Sequence, residues 1–266
     1  TSNFILTKMT REQTSFEDAL DEAQRLGFAE ADPTDDVEGV DAARKVVITS
    51  YLSFNQVIKL NDVKLTGISG TTLSDINAAD QLGFKIKLIG KGTYENGHVH
   101  ASVEPTLIHK SHQLAAVENE YNAIYVIGDA VGDTMFYGKG AGSLATGSAV
   151  VSDLLNVALF FESNLHTLPP HFELKTDETR EMMDGEEPVV IQEKLNYYIV
   201  LQNNHLTVDK IENDIKALLP FHKSLQIAER DENTVAVIII GLDQSPEYVL
   251  NKSGYEVEKI YPVEGV

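Results

Sequence analysis

The sequence predicts an α+β fold, in which a mostly antiparallel sheet packs against helices and a small βαββαβ domain follows. Three observations carry this prediction. Helical patterns come first along the chain, strand patterns begin near Val63, and another helical pattern covers residues 143–161. The turn signal Asn96-Gly97 follows a run that alternates apolar and polar side chains, which is typical of a β-hairpin. Residues 195–266 show strand and helix patterns in the order β-α-β-β-α-β.

Two helices are predicted near the start of the chain. The first covers residues 14–27, where Ser15 can cap the helix with Asp18 three residues later, and Gly27 can end it. Its buried stripe is predicted at Phe16, Leu20, Ala23 and Leu26. A polar connection that contains a proline leads to the second helix, residues 37–52. Its apolar face is predicted at Val40, Ala43, Val47 and Tyr51.

The next part of the chain contains the predicted sheet. Residues 63–69 resemble a strand, residues 72–83 a short capped helix, and residues 84–108 a hairpin. One or two further strands are predicted within residues 121–138, and a helix with small residues early and bulky residues late follows at 143–161.

The chain divides into two predicted domains. Residues 1–164 form the first and residues 195–266 the second, with an acidic, irregular linker at residues 165–194. The second domain has the ferredoxin-like order and resembles an ACT domain, a small regulatory module often attached to amino-acid-pathway enzymes. Its turn at residues 203–206 lacks the glycine that ACT domains usually carry.

Composition restricts the partners and the location. The chain has 266 residues, with 21 Lys+Arg against 41 Asp+Glu and a net charge of -20. Such a surface repels polyanions, so we expect neither nucleic acid nor an anionic membrane as a partner. The chain has 0 cysteines, which excludes disulfides and thiolate metal sites.

The sequence also predicts neither a signal peptide nor a membrane-spanning segment. Residues 1–6 lack a basic region and a cleavage site, so no signal peptide is expected. The apolar stretch around residues 154–161 is too short to span a bilayer, and we therefore expect a cytoplasmic protein. Because the sequence does not begin with methionine, we expect a fragment or a processed product.

An acidic segment precedes Lys45. Its acidic residues are Glu30, Asp32, Asp35, Asp36, Glu38 and Asp41. Two interpretations stay open: the carboxylates bind an ammonium-bearing ligand, or the segment is a solvated acidic loop that caps a helix. Asp41 and Lys45 are four residues apart and therefore share a helix face, although an exposed pair of this kind contributes only about 0.3–0.5 kcal/mol.

A glycine-rich segment precedes the helix that is predicted to start near Ser143. Gly138, Gly140 and Gly142 alternate there with other residues, so the backbone can approach a ligand closely, and the helix start favours negative charge. The segment is not the dinucleotide-binding fingerprint, which needs a preceding strand, a βαβ unit and a downstream acid.

Three segments together are similar to the homoserine dehydrogenase family. They are residues 1–9, residues 16–45 and residues 128–154. The resemblance implies an NADP- or NAD-dependent oxidoreductase that interconverts L-aspartate 4-semialdehyde and L-homoserine, in the biosynthesis of threonine, methionine and isoleucine. It also implies a nucleotide-binding domain before Thr1, which we expect to be missing from this chain, so that the fragment alone would be inactive.

The resemblance assigns roles to individual residues. Lys45 matches the catalytic lysine of the family, and Asp41 matches an aspartate one turn earlier that orients it. The residues implied to bind substrate are Glu30, Asp36 and Thr1. For Asp36 a second interpretation stays open, as the N-cap of the helix that begins at about Val37. Phe28 replaces the tyrosine of many relatives and so lacks its hydroxyl.

The glycine-rich segment matches the part of the family that approaches the nicotinamide. The residues implied to contact the cofactor are Gly138, Gly140, Ala141 and Gly142. No metal site is expected, since His98 and His100 share a strand face without a third ligand nearby.

The resemblance further implies a homodimer or a larger homo-oligomer that binds a small-molecule substrate. A second hypothesis is a non-catalytic module for oligomerisation and amino-acid sensing. The joint presence of Glu30, Asp36, Asp41 and Lys45 favours the enzyme, because a module without catalysis does not need this set.

Overall fold

The computed structural model describes residues 1–140, 142–162, 195–202 and 206–265. The helices are α1 Ser2–Glu12, α2 Phe16–Arg25, α3 Thr34–Val37, α4 Val40–Phe54, α5 Leu73–Gln81, α6 Ser143–Glu162, α7 Val208–Leu218 and α8 Glu247–Lys252. The strands are β1 Lys64–Leu65, β2 Phe84–Glu95, β3 His98–His109, β4 Tyr121–Gly128, β5 Gly132–Lys139, β6 Leu195–Gln202, β7 Ser224–Glu229, β8 Thr234–Leu242 and β9 Val257–Glu264. Most neighbouring strands are antiparallel and helices pack against them, which confirms the α+β class.

Seven strands form one sheet in the order β1-β3-β9-β6-β8-β7, with β2 antiparallel to β3. A short parallel pairing joins the two halves, where Leu107 lies opposite Val263 and Ile108 opposite Glu264. The last four strands have the predicted ferredoxin-like order, β6-α7-β7-β8-α8-β9. The domain boundaries stay a prediction, and the linker and residues 203–205 of the ACT-like turn lie outside the described residues.

The C-terminal half of the sheet is buried on both faces. Side chains on β6 and β8 alternate between two apolar clusters, because successive strand residues point to opposite faces. Tyr198 and Ile238 join the cluster that contains α1, α2 and α5, whereas Ile199 and Val237 join the cluster under α7 and α8. The run at residues 235–242 contains no polar side chain, as expected for a strand covered on both sides.

The sequence analysis missed helix α1. Its fully buried residues Ile5, Leu6 and Met9 lie one and four positions apart, which is a short helical stripe. Thr7 and Thr10 donate their hydroxyls to the backbone oxygens four residues earlier, so these residues of low helix propensity are accommodated. The stripe is too short to be recognised from its pattern alone.

The predicted local signals in the rest of the first domain are mostly confirmed. Ser15 accepts a hydrogen bond from the Asp18 backbone, and Thr72 and Asp75 form a complete capping box on α5. Asn96 and Gly97 both have positive φ, at 51° and 86°, as a tight hairpin turn requires.

Three local predictions were wrong in detail. Leu26, predicted in the buried stripe of α2, is 47% exposed. The strand predicted for residues 63–69 is reduced to β1, and Gly67 after it packs closely against Glu38. On α4, Ala43 of the predicted apolar face is buried, but Val40, Val47 and Tyr51 are only partly buried, and Val46 and Ser50 are buried instead.

Helix α4 lies close to strand β2 because two glycines admit it. A Cβ atom at Gly90 would collide with Val46, and one at Gly92 would collide with Ser50. This contact fixes the rotation of the helix about its axis, and it leaves Lys45 exposed on the side away from the sheet.

Helix α6 and the hairpin β4–β5 lie outside the seven-stranded sheet. By length and composition alone, Ser143–Phe161 is apolar enough to cross a membrane, and none of it is buried. The prediction that the apolar stretch is too short was wrong, because the helix continues from residue 154 back to Ser143, and Asp153 is the one charged residue among residues 143–161. No other helix among the described residues passes this test.

Candidate functional site

The clearest feature of the candidate site is an ion pair on α4. The Lys45 ammonium lies 2.6 Å from Oδ2 of Asp41, and the two side chains are 68% and 46% exposed. The predicted spacing therefore places the two charges together. Lysine has three N–H donors, so the ammonium retains donors for a ligand while Asp41 holds it.

Thr1 lies at the N-terminal end of α1, beside this pair. Its hydroxyl donates a hydrogen bond to the backbone oxygen of Phe28. The backbone nitrogen of Thr1 lies within electrostatic range of Asp36, Asp41 and Lys45. These electrostatic interactions show that Thr1, Asp36, Asp41 and Lys45 converge on one region.

Some carboxylates of the acidic segment bond neighbouring residues of the same loop or of α4, and others do not serve in such structural contacts. Asp32 accepts hydrogen bonds from the Thr34 backbone at 3.2 Å and its hydroxyl at 2.6 Å, and the hydroxyl contact holds the pKa of Asp32 below its usual value. Asp35 pairs with Arg44 at 2.6 Å. The loop interpretation therefore accounts for Asp32 and Asp35.

Asp36 does not cap α4, so that interpretation was wrong. It lies inside the short helix α3, and Gly39, with φ of 82°, occupies the position before α4. The Asp36 side chain is half-buried. Glu30 is exposed, and its backbone oxygen accepts a hydrogen bond from the Gln24 amide at 2.8 Å.

The glycine-rich segment lies at the end of β5. A Cβ atom at Gly138 or Gly142 would meet open space, whereas one at Gly140 would collide with Asn122. Gly142 has φ of 108°, which side-chain-bearing residues rarely adopt. Ala141 lies outside the described residues. Among the residues that are described, no hydrogen bond or ion pair joins this segment to Asp41 or Lys45.

The neighbours of this segment fix its position. Lys139, to which the sequence assigns no role, pairs with Glu120 at 2.9 Å and lies 5.4 Å from the centre of the Tyr121 ring. Tyr121 and Lys139 are also directly opposite each other in the β4–β5 ladder. These contacts hold the open ends of β4 and β5 together next to the glycine-rich segment.

The sequence analysis did not single out Lys87, a buried lysine on β2. Because apolar and polar residues alternate along β2, the sequence predicts Lys87 on the polar face of the strand with Lys85, yet its exposure is 7%. Burial lowers the pKa of Lys87 to about 8. An alternating lysine gives no local sign of burial, since the covering groups come from α1 and from residue 117.

Metal ligation has no support in the described part of the chain, where no group of three or more His, Asp or Glu side chains could hold an ion. His98 and His100 lie at the exposed start of β3.

Comparisons with known proteins identify relatives of the whole chain. The family model described as homoserine dehydrogenase matches residues 1–155, and one described as the homoserine dehydrogenase C-terminal domain matches residues 194–266. Homoserine dehydrogenase of Bacillus subtilis is 55% identical over 157 residues, which are 59% of this chain and 36% of that protein. The Synechocystis protein of the same name is 47% identical over 161 residues, 59% of this chain and 37% of its own length.

Solved structures extend the similarity to the C-terminal part. The crystal structure of S. aureus homoserine dehydrogenase at pH 7.5 has a TM-score of 0.86 and 73% identity, and covers 100% of this chain and 63% of that one. The Thiobacillus denitrificans homoserine dehydrogenase has a TM-score of 0.77 and 33% identity, with coverage of 99% and 62%. The chain thus spans less than two thirds of the length of these relatives. The family model described as homoserine dehydrogenase matches more than half of the chain, and the chain therefore belongs to the homoserine dehydrogenase family.

Proposed function

We propose that this chain carries the catalytic and C-terminal parts of a homoserine dehydrogenase, which interconverts L-aspartate 4-semialdehyde and L-homoserine with NADP or NAD. The observation that supports this most is the exposed Lys45 ammonium, held by Asp41 beside Asp36 and Thr1. A cation of this kind, next to carboxylates, suits a substrate with one reacting oxygen and one α-ammonium group.

Lys45 would act on the oxygen of the substrate. In the reductive direction the aldehyde oxygen gains negative charge, which a positioned ammonium stabilises and then protonates. In the oxidative direction the neutral amine would accept the hydroxyl proton of homoserine. The 2.6 Å contact with Asp41 fixes the ammonium on one side of α4. When bound, NADP or NAD supplies or accepts the hydride.

The carboxylates would hold the substrate's α-ammonium group. Asp36 and Glu30 offer this charge, and neither is used by the structural contacts that occupy Asp32 and Asp35. The Thr1 hydroxyl already donates its hydrogen to Phe28, so toward a ligand it can only accept. It would therefore contribute to the ammonium side of the substrate.

The glycine-rich segment fits the nicotinamide end of the cofactor. The open space beside Gly138 and Gly142 lets a ligand approach bare backbone. These glycines, with Gly140 and Ala141, would hold one end of the cofactor, and a nucleotide-binding domain outside this chain would hold the rest. Exposed apolar residues on α6, such as Leu154 at 64% and Phe161 at 70%, would then pack against that domain.

We further propose a cytoplasmic homodimer or larger homo-oligomer. Light scattering on the chain extended by its native upstream sequence would give the mass of the assembly, and cell fractionation would give its location. A monomer, or a protein recovered with membranes, would contradict these two proposals.

The deciding experiment measures NADPH oxidation by aspartate semialdehyde with the extended chain. We expect Lys45→Ala to lower kcat by roughly 10²–10⁴-fold, the usual contribution of a positioned proton donor. The matched control is Lys210→Ala on α7, because Lys210 forms a similar pair with Asp214 at 2.6 Å, four residues away. Its kcat should stay within about twofold of the wild type, as expected for an exposed surface pair.

Two outcomes would contradict the proposal. An extended wild-type chain that binds cofactor without turnover would exclude the dehydrogenase and favour the non-catalytic module. Equal losses in Lys45→Ala and Lys210→Ala would show that Lys45 has no particular role.

A further inference from the structure

Lys87 is a buried cation near the start of strand β2. A charged lysine rarely lies in such a position unless its donors are satisfied. Its ammonium donates to Oδ1 of Asn3 at 2.9 Å and to the backbone oxygen of Val117. The nearby charges oppose each other, since Lys85 disfavours and Glu118 favours the charged form of Lys87. The lysine therefore joins α1 to the segment that precedes β4.

Asn3 extends this connection with its amide nitrogen. The amide donates to the backbone oxygens of Asn119 at 3.2 Å and Tyr121 at 3.0 Å. A second contact runs in parallel, where the Asn119 backbone donates to the Thr7 hydroxyl at 3.1 Å. The bond from Lys87 fixes the orientation of the Asn3 amide, so that its oxygen faces the Lys87 ammonium and its nitrogen faces the backbone oxygens of Asn119 and Tyr121. The first turns of α1 are thus clamped to residues 117–121.

The two ends of this clamp lead to the two sides of the candidate site. Asn3 follows Thr1 by two residues in the same helical turn, so its position sets that of Thr1 beside Lys45. Tyr121 lies opposite Lys139, and Asn122 lies opposite Gly138 and against Gly140. The clamp therefore connects the proposed substrate side with the proposed cofactor side.

We propose that Lys87 is a positioning residue, which acts through Asn3 to hold the substrate side and the glycine-rich segment in register for the reaction. The inference rests on the proposed function, because it assigns the two ends of the clamp to substrate and cofactor. An error of about 1 Å between reacting groups can lower a rate a hundredfold, so a clamp of this kind is expected to affect kcat more than binding.

The test compares four variants of the chain extended by its native upstream sequence. They are Lys87→Met, Asn3→Ala, the double variant and Lys85→Met. Lys85 is the matched control, since it lies two residues away on β2 and also bonds this segment, through Glu118 at 2.8 Å. Circular dichroism and thermal unfolding show that each variant is folded. Steady-state kinetics give kcat and KM, and hydrogen exchange gives the protection of amides 117–122.

We expect Lys87→Met and Asn3→Ala each to lower kcat at least tenfold, with KM for aspartate semialdehyde within about twofold of the wild type. The double variant should lose no more than the worse single variant, because both changes break one connection. Exchange at residues 117–122 should become faster in both variants than in Lys85→Met, whose kcat should stay within about twofold.

A folded Lys87→Met with unchanged kcat, or losses that multiply in the double variant, would overturn the inference. If Lys87→Met does not fold, Asn3→Ala decides, because it cuts the same connection and leaves the lysine in place. If the wild type shows no turnover, the proposed function fails separately. The exchange comparison then tests the clamp alone, and unchanged protection at residues 117–122 overturns it.

Discussion

Two ion-pair clusters have nearly the same distances between nitrogen and oxygen atoms, but one is exposed to solvent and the other surrounds a buried carboxylate. On α4, Lys45 lies 2.6 Å from Asp41, and both side chains are largely exposed. At the start of α5, Asp75 lies 2.6 Å from Lys259 and 2.7 Å from Arg230, and its own exposure is 0%. Distance alone therefore does not distinguish a group that acts on a ligand from one that stabilises the fold.

The buried group joins the two halves of the chain. Asp75 belongs to the capping box of α5, whereas Arg230 and Lys259 come from the C-terminal part. Lys259 also donates to the backbone oxygen of Gly70 at 2.6 Å, and Arg230 to the Thr72 hydroxyl at 3.1 Å. All members are therefore satisfied inside the protein. The exposed pair uses fewer of its donors, so the Lys45 ammonium can still bond a ligand, as the proposed function requires.

The largest expected effect on stability is that of Asp75→Ala. Removing this carboxylate leaves the guanidinium of Arg230, with 5% side-chain exposure, and the ammonium of Lys259, with 18%, without their main partner, which costs about 3–5 kcal/mol. Asp80→Ala is the matched control on the same helix, because Asp80 is 54% exposed and pairs with Lys110. It should cost less than about 1 kcal/mol. Urea unfolding measures both, and equal losses would mean that burial does not distinguish the two aspartates.

A smaller effect is expected at low pH. Burial alone would raise the pKa of Asp75, but the bonds from Lys259 and Thr72 and the nearby cations hold it below its usual value. The unfolded chain therefore binds this proton more readily, so the stabilisation is present above about pH 4 and is lost as the pH falls further.

Comparison of the wild type with Asp75→Asn tests this sign. The difference in unfolding free energy between the two proteins should shrink as the pH falls from 7 to 3. A difference that is constant over this range would contradict the lowered pKa.

Replacing the whole buried group should nearly cancel the loss. In the triple variant Asp75→Leu, Arg230→Met, Lys259→Met no charge stays buried without a partner, and apolar packing replaces the ions. Such replacements are often neutral, so we expect a free energy of unfolding within about 2 kcal/mol of the wild type. A triple variant as unstable as Asp75→Ala would show that the charges themselves hold the two halves together.

The smallest expected effect on stability is that of Asp41→Ala. An exposed i,i+4 pair contributes about 0.3–0.5 kcal/mol, so thermal unfolding should barely change. Turnover by the extended chain should nevertheless fall, because Lys45 loses the group that orients it. Asp35→Ala, which removes the exposed pair with Arg44, is the control. A loss above about 1 kcal/mol in Asp41→Ala would remove the contrast with Asp75.

Local patterns predicted much of this fold and part of the site. The hairpin turn at Asn96-Gly97, the capping box on α5 and the Asp41–Lys45 pair all depend on residues within a few positions of each other. Turn geometry and helix periodicity are sufficient to identify such features. Long-range contacts were not accessible in this way: Asp75 meets Arg230 and Lys259 across 155 and 184 residues.

By itself the sequence determined the α+β class, the order of strands and helices in the C-terminal part, and the spacing that pairs Asp41 with Lys45. The tertiary structure decided that β3 and β9 share one sheet, that Lys87 is buried rather than solvated, and that Asp36 lies near Thr1 instead of capping α4. The physical reason is that secondary structure follows from neighbouring residues. Burial and charge, by contrast, depend on which distant segments cover a side chain.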